Sequence, residues 1–115
     1  MGLDHDTALK IGNAFGGGMG RTGELCGTVT GALMIISLCY GAAAVNDPAA
    51  KTKTYERAQE FMRQFQERHR SMICRDLIGF DIGLKTSLTP DERAIISRQC
   101  PEYITDAARL LEEIL

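Results

Sequence analysis

The sequence predicts an all-α protein, and three observations lead to that prediction. Hydrophobic residues recur at steps of three and four along most of the chain, which is the spacing of one face of a helix. Runs of alternating β-branched residues between turn signals, which would indicate strands, are absent. Helix-capping residues precede proline in "NDP" and "TPDE", as they do at helix starts. We therefore expect a small helical bundle of about five helices around a long buried central helix.

The bulk properties narrow the classes of function. The chain has 115 residues, so we expect residues 1–115 to form a single helical domain. Its net charge of −2 provides no positive field to attract nucleic acid or anionic lipid. The acidic start at Asp4 and Asp6 does not resemble a secretory signal, and we expect a cytoplasmic protein. Four cysteines in that reducing compartment indicate redox, metal-binding or core residues rather than a disulfide framework.

The first three helices are predicted from their caps and their apolar spacing. Asp4 or Asp6 can cap a short helix through "TALKIGNAF", which the following glycines end. An uncharged stretch predicts the long central helix from about Thr22 to about Val45. The third helix starts with Asp47 as its cap and Pro48 in its first position. Its apolar face is expected to consist of Tyr55, Ala58, Phe61, Met62, Phe65, His69, Met72 and Ile73.

The last third of the chain is predicted to contain two further helices. The segment "DLIGFDIGLKTSL" is expected to be a loop or a short turn-rich piece. In "TPDE", Thr89 is the cap of a short helix and Glu92 completes a capping box. The final helix is expected to begin at "CPEY", with Cys100 as its cap and Pro101 in its first position, and to run to the C-terminus.

The uncharged stretch permits two interpretations. Residues 25–46 carry no charge, are about long enough to span a bilayer, and contain Gly27 and Gly31 as a G-x-x-x-G pair. Glycine and hydroxyl residues, however, make the stretch only mildly apolar, and the amphipathic helices need an apolar partner to pack against. These features favour a buried helix over a membrane span. Because so short a chain leaves part of such a helix uncovered, we also expect a homodimer.

The stretch "FGGGMGRTGELCG" is rich in glycine. Gly18, Gly20 and Gly23 satisfy G-x-G-x-x-G, but a dinucleotide fold needs a strand before that motif, and here a helix precedes it. A P-loop is excluded because no Gly-Lys-Ser/Thr ends the stretch. The remaining functional interpretation is a seat for a reactive thiol at Cys26, since glycine-rich backbone entering a helix presents free N–H groups there. A small buried Cys26 that packs beside the glycines is equally consistent with these residues.

Three of the four cysteines are candidates for catalysis or metal binding. Cys26 has Arg21 close in the sequence, Cys100 is expected at a second helix start, and Cys74 follows the basic segment "RHRSMIC". Each of these settings is expected to lower the pKa of a thiol and make it reactive. The candidates to bind a cofactor beside these thiols are Gly18, Gly20, Arg21 and Gly27.

Two other residues are given structural roles. Cys39 lies about 20 Å along the central helix from Cys26, so it cannot share a site with that residue, and packing is its expected role. His69 could serve as a base for a thiol or as a metal ligand, but its place on an apolar stripe favours a core histidine with a satisfied ring.

The segment "GGGMGRTGELCGTVTGALM" resembles the C_GCAxxG_C_C family of redox-active proteins, whose centre is a Cys-Gly-Ala-x-x-Gly motif. Cys26, Gly27 and Gly31 match that centre, and Thr28 replaces its alanine. The similarity runs from about Phe15 onward.

This resemblance implies cysteine chemistry. The two later cysteines of the family pattern map onto Cys74 and Cys100, whereas its first, upstream cysteine has no counterpart between Met1 and Phe15. What the resemblance implies is thiol–disulfide exchange, or an iron–sulfur centre or another metal ion, at Cys26 and its two mapped partners. A redox partner protein would then exchange electrons with the site.

Two hypotheses of different classes follow. The first is a cytoplasmic cysteine-based redox protein, an oxidoreductase in the broad sense, in which Cys26, Cys74 and Cys100 meet at helix ends while Cys39 stands apart. The second is a non-catalytic helical dimerisation or interaction domain, with or without membrane association, whose cysteines only pack.

Overall fold

The computed structural model describes residues 2–44 and 46–115, and within them the chain is all-α, which confirms the predicted fold class. The α-helices of this part of the chain are α1 (His5–Gly12), α2 (Gly27–Tyr40), α3 (Pro48–His69), α4 (Cys74–Ile78) and α5 (Pro90–Ile114). Two short 3-10 helices cover Asn13–Phe15 and Ile82–Leu84. An isolated antiparallel bridge joins Leu25 to Ile73.

The core has two parts. Helices α2, α3 and α5 pack against one another around the main cluster. Its fully buried side chains are Phe61, Phe65, Ile36, Leu110 and Val29. A smaller cluster forms where Cys74, Ile78 and Ile82 meet the first half of α5. This second cluster lies beside the candidate site.

Three helix starts have the caps that the sequence predicts. The Asp4 carboxylate accepts a hydrogen bond from an amide of the first turn of α1, and Asp47 does the same for α3. At the start of α5, Thr89 and Glu92 form the reciprocal bonds of a capping box. These helix starts were predicted correctly because a cap depends only on residues that are neighbours in the sequence.

Helix α2 is shorter than predicted and is buried along one face. It begins at Gly27 rather than Thr22, because the preceding backbone follows a left-handed path that cannot continue into an α-helix. It ends at Tyr40, and the predicted end at Val45 lies outside the described residues. Its buried residues are Val29, Ala32 and Ile36. Within the described chain, no helix combines the length and hydropathy that crossing a membrane requires.

The predicted division of the C-terminal segment into two helices is wrong. Helix α5 runs without interruption from Pro90 to Ile114, so Pro101 lies inside it and Cys100 is not a cap. A proline within a helix removes one backbone hydrogen bond and crowds the preceding turn. Packing of α5 against α2, α3 and α4 along its length outweighs this local penalty.

The third helix also ends earlier than its apolar pattern suggests. Arg70, with φ of 66°, takes the left-handed conformation that ends α3 at His69. Met72 and Ile73 therefore lie outside the helix. Cys74 is the first residue of the separate helix α4 and not the end of α3. The predicted loop, which starts at Asp76, contains the last residues of α4 and a 3-10 helix.

Candidate redox site

The isolated bridge brings two cysteines to one side of the backbone. The amide of Cys26 donates to the carbonyl of Met72 (2.8 Å), and the amide of Cys74 donates to the carbonyl of Glu24 (2.6 Å). Each cysteine immediately follows a bridged residue, so both side chains leave the pair on the same face. They are diagonal neighbours, a relation that places residues about 7–8 Å apart.

The third cysteine approaches from another helix. Cys100 lies in the middle of α5, with Ile96 and Ile104 one turn before and after it. All three of these residues, together with Cys26 and Cys74, line one cavity of about 380 Å³. The other lining residues are Gly12, Phe15, Gly16, Gly17, Gly18, Gly27, Thr28, Ile78 and Ile82. The structure therefore brings together the three cysteines that the sequence singled out.

Two glycines allow the backbone to close around the thiols. Gly18 has φ of +73°, and a Cβ atom there would lie 2.6 Å from the Cβ atom of Cys74. Gly27, directly after Cys26, would place a Cβ atom 2.7 Å from the carbonyl oxygen of Phe15. Side chains at either position would push the glycine-rich loop away from the helix starts, so both positions require glycine.

The glycine-rich loop satisfies most of its own amides. The residues with positive φ in this loop are Gly17, Gly18, Met19, Gly20, Arg21 and Gly23. The amides of residues 19–24 donate to carbonyl groups of residues 14–19. The expectation that the loop presents free N–H groups is therefore wrong for these residues, because the left-handed turn directs them inward.

The expectation of lowered thiol pKa values is wrong for two of the three cysteines. Burial, reinforced by the neighbouring Cys26 and Cys100, raises the pKa of Cys74 to about 11. Burial and Cys26 also raise the pKa of Cys100. Cys100 has no helix start to favour its thiolate, and the guanidinium of Arg75, which opposes the rise at Cys74, has a smaller effect than burial.

The candidate cofactor residues divide into two groups. Gly18 and Gly27 line the cavity, whereas Gly20 and Arg21 are exposed and are not part of its wall. The nearby cation is instead Arg75, which forms an ion pair with Glu24 at 2.8 Å and also donates to the carbonyl of Gly23. Through these contacts Arg75 connects α4 to the loop that precedes α2.

Cys39 and His69 lie away from the cavity. Cys39 is exposed near the end of α2, so the packing role expected for it is wrong. The ring of His69 has its Nε2 atom 2.7 Å from a carboxylate oxygen of Asp106 and packs between Phe65 and Tyr103. It is a core histidine with a polar partner.

The apolar walls of the cavity were not predicted from the sequence. Phe15 and four isoleucines line the cavity beside the thiols. One signal was present: Ile96, Cys100 and Ile104 follow one another at four-residue steps and share a helix face. Because a helix start was expected at Pro101, Ile96 and Ile104 were assigned to different helices, and their shared face was not recognised.

The described residues do not fit a metal centre. Among them, no three His, Cys, Asp or Glu side chains are arranged so that they could hold a metal ion. The three thiols share a cavity that is otherwise walled by apolar side chains and glycine backbone, with no carboxylate or imidazole among its lining residues. Metal binding by Cys26, Cys74 and Cys100 is thus not confirmed.

Comparison with known proteins identifies the family. No curated protein and no solved structure matches the chain. A family model described as "Putative redox-active protein (C_GCAxxG_C_C)" matches residues 1–114, which includes the N-terminal segment that the resemblance from Phe15 onward left out. The match covers nearly the whole chain. This chain belongs to the C_GCAxxG_C_C family.

Proposed function

We propose that this chain is a thiol–disulfide redox protein whose reacting groups are Cys26, Cys74 and Cys100. The observation that carries the proposal is that three of the four cysteines line one cavity. The family description supports a redox role in general.

Cys26 and Cys74 form the reacting pair. Diagonal neighbours across a bridge lie about 7–8 Å apart, whereas cysteines in a disulfide have Cα separations of about 4.4–6.8 Å. A backbone shift that closes this difference would join them. The Cys26 side chain makes no capping hydrogen bond to α2, so no such bond has to break before its sulfur turns toward Cys74.

The half-buried Cys26 is the attacking thiol, because Cys74 is buried and has a raised pKa. The Cys26 thiolate attacks one sulfur of a substrate disulfide, the substrate S–S bond breaks, and the released thiolate takes up a proton. Deprotonated Cys74 then attacks the Cys26 sulfur and displaces the second substrate thiolate, which is also protonated. Two electrons pass from the cysteine pair to the substrate, leaving one protein disulfide and two substrate thiols.

Cys100 is a second candidate to resolve the mixed disulfide. It faces the same cavity from α5, and its thiol interacts electrostatically with Cys26. When Cys74 is unavailable, attack by Cys100 on the Cys26 sulfur completes the same exchange. This role predicts that the Cys74→Ser variant retains slow oxidation through a Cys26–Cys100 disulfide.

The proposal includes a location and a partner. All four cysteines are free thiols, a state that fits the reducing cytoplasm. Return of an oxidised pair to the thiol state needs two electrons from a second dithiol, and we assign that step to a redox partner protein.

Disulfide mapping tests the proposal in a Cys39→Ser background, which removes the exposed thiol. Native protein is oxidised with diamide, trapped by alkylation in acid, digested and analysed by mass spectrometry. We expect loss of two free thiols per chain and a peptide link between Cys26 and Cys74. The Cys26→Ser variant should lose this link and form no disulfide at a comparable rate.

Two outcomes would overturn the proposal. If all three cavity thiols stay free while Cys39 of the unsubstituted protein is oxidised, the cysteines only pack, and the interaction-domain hypothesis is favoured. If protein purified without oxygen contains stoichiometric iron or zinc that Cys26→Ser removes, the site is a metal centre. Both measurements use the folded full-length chain.

A further inference from the structure

From the wall of the cavity we infer that the substrate of this site is a small, uncharged disulfide. This inference rests on the proposed thiol–disulfide function and goes beyond it by naming the class of substrate. Anionic disulfides such as glutathione disulfide are then poor substrates, although they carry the same reactive bond.

The residues that line the cavity are the first reason to expect an uncharged substrate. No charged side chain belongs to it, and apart from the three thiols its polar side chain is the hydroxyl of Thr28. Five apolar side chains, Phe15 and four isoleucines, provide the remaining side-chain wall. A carboxylate or ammonium group that entered would lose water and gain no ionic partner, which strongly disfavours binding of a charged ligand.

Two nearby arginines do not alter this conclusion. Arg75 is already paired with Glu24 at 2.8 Å, and Arg21 is exposed outside the cavity wall. The amides of Gly27 and Thr28, the first two residues of α2, have no backbone acceptor among the described residues. They provide only a partial positive charge beside Cys26, which is less than the full counter-ion that a permanent anion would need once it has lost its water.

The size of the cavity limits the substrate further. Its volume of about 380 Å³ is near the lower end of the range for small-molecule sites. Ile104 lines the cavity and is 59% exposed, so it lies at the rim between the cavity and solvent. A compact disulfide can pass this rim and bring its S–S bond to Cys26.

Competing oxidants of different charge test the inference. Wild-type protein is treated separately with 2-hydroxyethyl disulfide, glutathione disulfide and cystamine, which are neutral, anionic and cationic. The rate of cavity disulfide formation is divided by the rate at which exposed Cys39 of the same molecule reacts. This ratio removes the intrinsic reactivity of each reagent. We expect the ratio for 2-hydroxyethyl disulfide to be at least about tenfold higher than the ratio for glutathione disulfide and the ratio for cystamine.

A rim substitution provides a second readout. Because Ile104 is largely exposed, Ile104→Lys should fold, and it should reduce the discrimination against glutathione disulfide while Ile104→Glu increases it. Leu84→Lys is the matched control, because Leu84 is 82% exposed and is not part of the cavity wall. It should leave all three ratios unchanged.

The outcomes separate this inference from the proposed function. Equal ratios for the three reagents, or a higher ratio for a charged one, would overturn the inference while the function stands. No cavity disulfide with any reagent, including diamide, would overturn the proposed function itself. If Ile104→Lys and Leu84→Lys change the rate ratios equally, the cavity rim does not control access. That result would contradict the inference.

Discussion

At the scale of single residues, the close approach of Gly18 to Cys74 fixes the position of the buried thiol. The left-handed conformation of Gly18 folds the glycine-rich loop back on the start of α4, and its missing side chain leaves room for Cys74. Gly31, by contrast, has open space where a Cβ atom would lie. The two glycines thus have different physical reasons to be present.

Replacement of Gly18 should therefore be costly. Gly18→Ala combines an unfavourable left-handed alanine with a clash against Cys74, and we expect the free energy of unfolding to fall by about 1–3 kcal/mol. Urea denaturation measures this change. Gly31→Ala is the matched control: it should raise stability by about 0.5–1 kcal/mol, since alanine favours a helix interior. Equal effects of the two substitutions would contradict the packing role of Gly18.

The raised pKa of Cys74 predicts a loss of stability in alkaline solution. The thiol ionises near pH 9 in the unfolded chain and near pH 11 in the folded protein, so between these values the unfolded state binds fewer protons. The free energy of unfolding should therefore fall as the pH rises from about 9 to 11. Denaturation curves across this range should show a shallower fall for Cys74→Ala than for wild type.

The control for this titration is Cys39→Ala. Cys39 is exposed and lies outside the cavity, so this variant removes a thiol without changing the surroundings of Cys74. A wild-type slope that matches the slope of Cys74→Ala would show that burial does not favour the neutral thiol at this position.

At the scale of secondary structure, the bridge between Leu25 and Ile73 positions two loops against each other. It fixes the register of the chain before α2 against the chain before α4, so the starts of both helices lie side by side. Arg75 reinforces this arrangement through Glu24 and the Gly23 carbonyl. Cys100 is then added from the middle of α5, where Ile96 and Ile104 flank it.

The continuity of α5 leads to a prediction about its internal proline. Pro101 is exposed and lacks the N–H group that the preceding turn could bind, so Pro101→Ala should raise the free energy of unfolding by about 1–3 kcal/mol. Thermal or urea denaturation tests this value. Pro90→Ala is the matched control, because Pro90 occupies the first turn, and its replacement should change stability by less than about 1 kcal/mol. Destabilisation by Pro101→Ala would instead indicate a helix start there.

At the scale of the whole molecule, apolar surface remains exposed along α2. An apolar groove is lined by Leu3, Ile11, Thr30, Leu33, Met34, Ser37 and Leu38. Leu38 is 53% exposed, and Leu9 and Ile11 of α1 are also exposed. Contiguous apolar surface of this kind is typical of protein–protein contacts, and the proposal of a homodimer follows from it.

The dimer proposal is tested by a charge in this groove. Wild-type protein at micromolar concentration should sediment as a dimer, and Leu38→Asp should shift it toward monomer by placing a carboxylate in the apolar contact. Leu84→Asp, at an exposed position outside the groove, should leave the dimer intact. A monomeric wild-type protein would contradict the proposal.

Those parts of the fold and site that depend on neighbouring residues were predictable from the sequence. Helix class follows from apolar spacing, and the caps at Asp47 and Thr89 follow from side chains that bond to amides a few residues away. The choice of Cys26, Cys74 and Cys100 over Cys39 was also made from the sequence. For the helix class and the caps the deciding interaction acts within a few residues, whereas Cys100 was chosen partly from a helix start that the structure does not contain.

Only the tertiary structure decided the rest. The sequence places a helix start at Pro101, but packing along the whole of α5 outweighs the loss of one hydrogen bond at this proline. Basic neighbours predict a reactive Cys74, but burial depends on Ile78, Ile82 and α5, and it raises the thiol pKa. The sequence by itself determined an all-α chain with three candidate thiols, whereas long-range packing determined their shared cavity, because burial and bridge register join residues far apart in the chain.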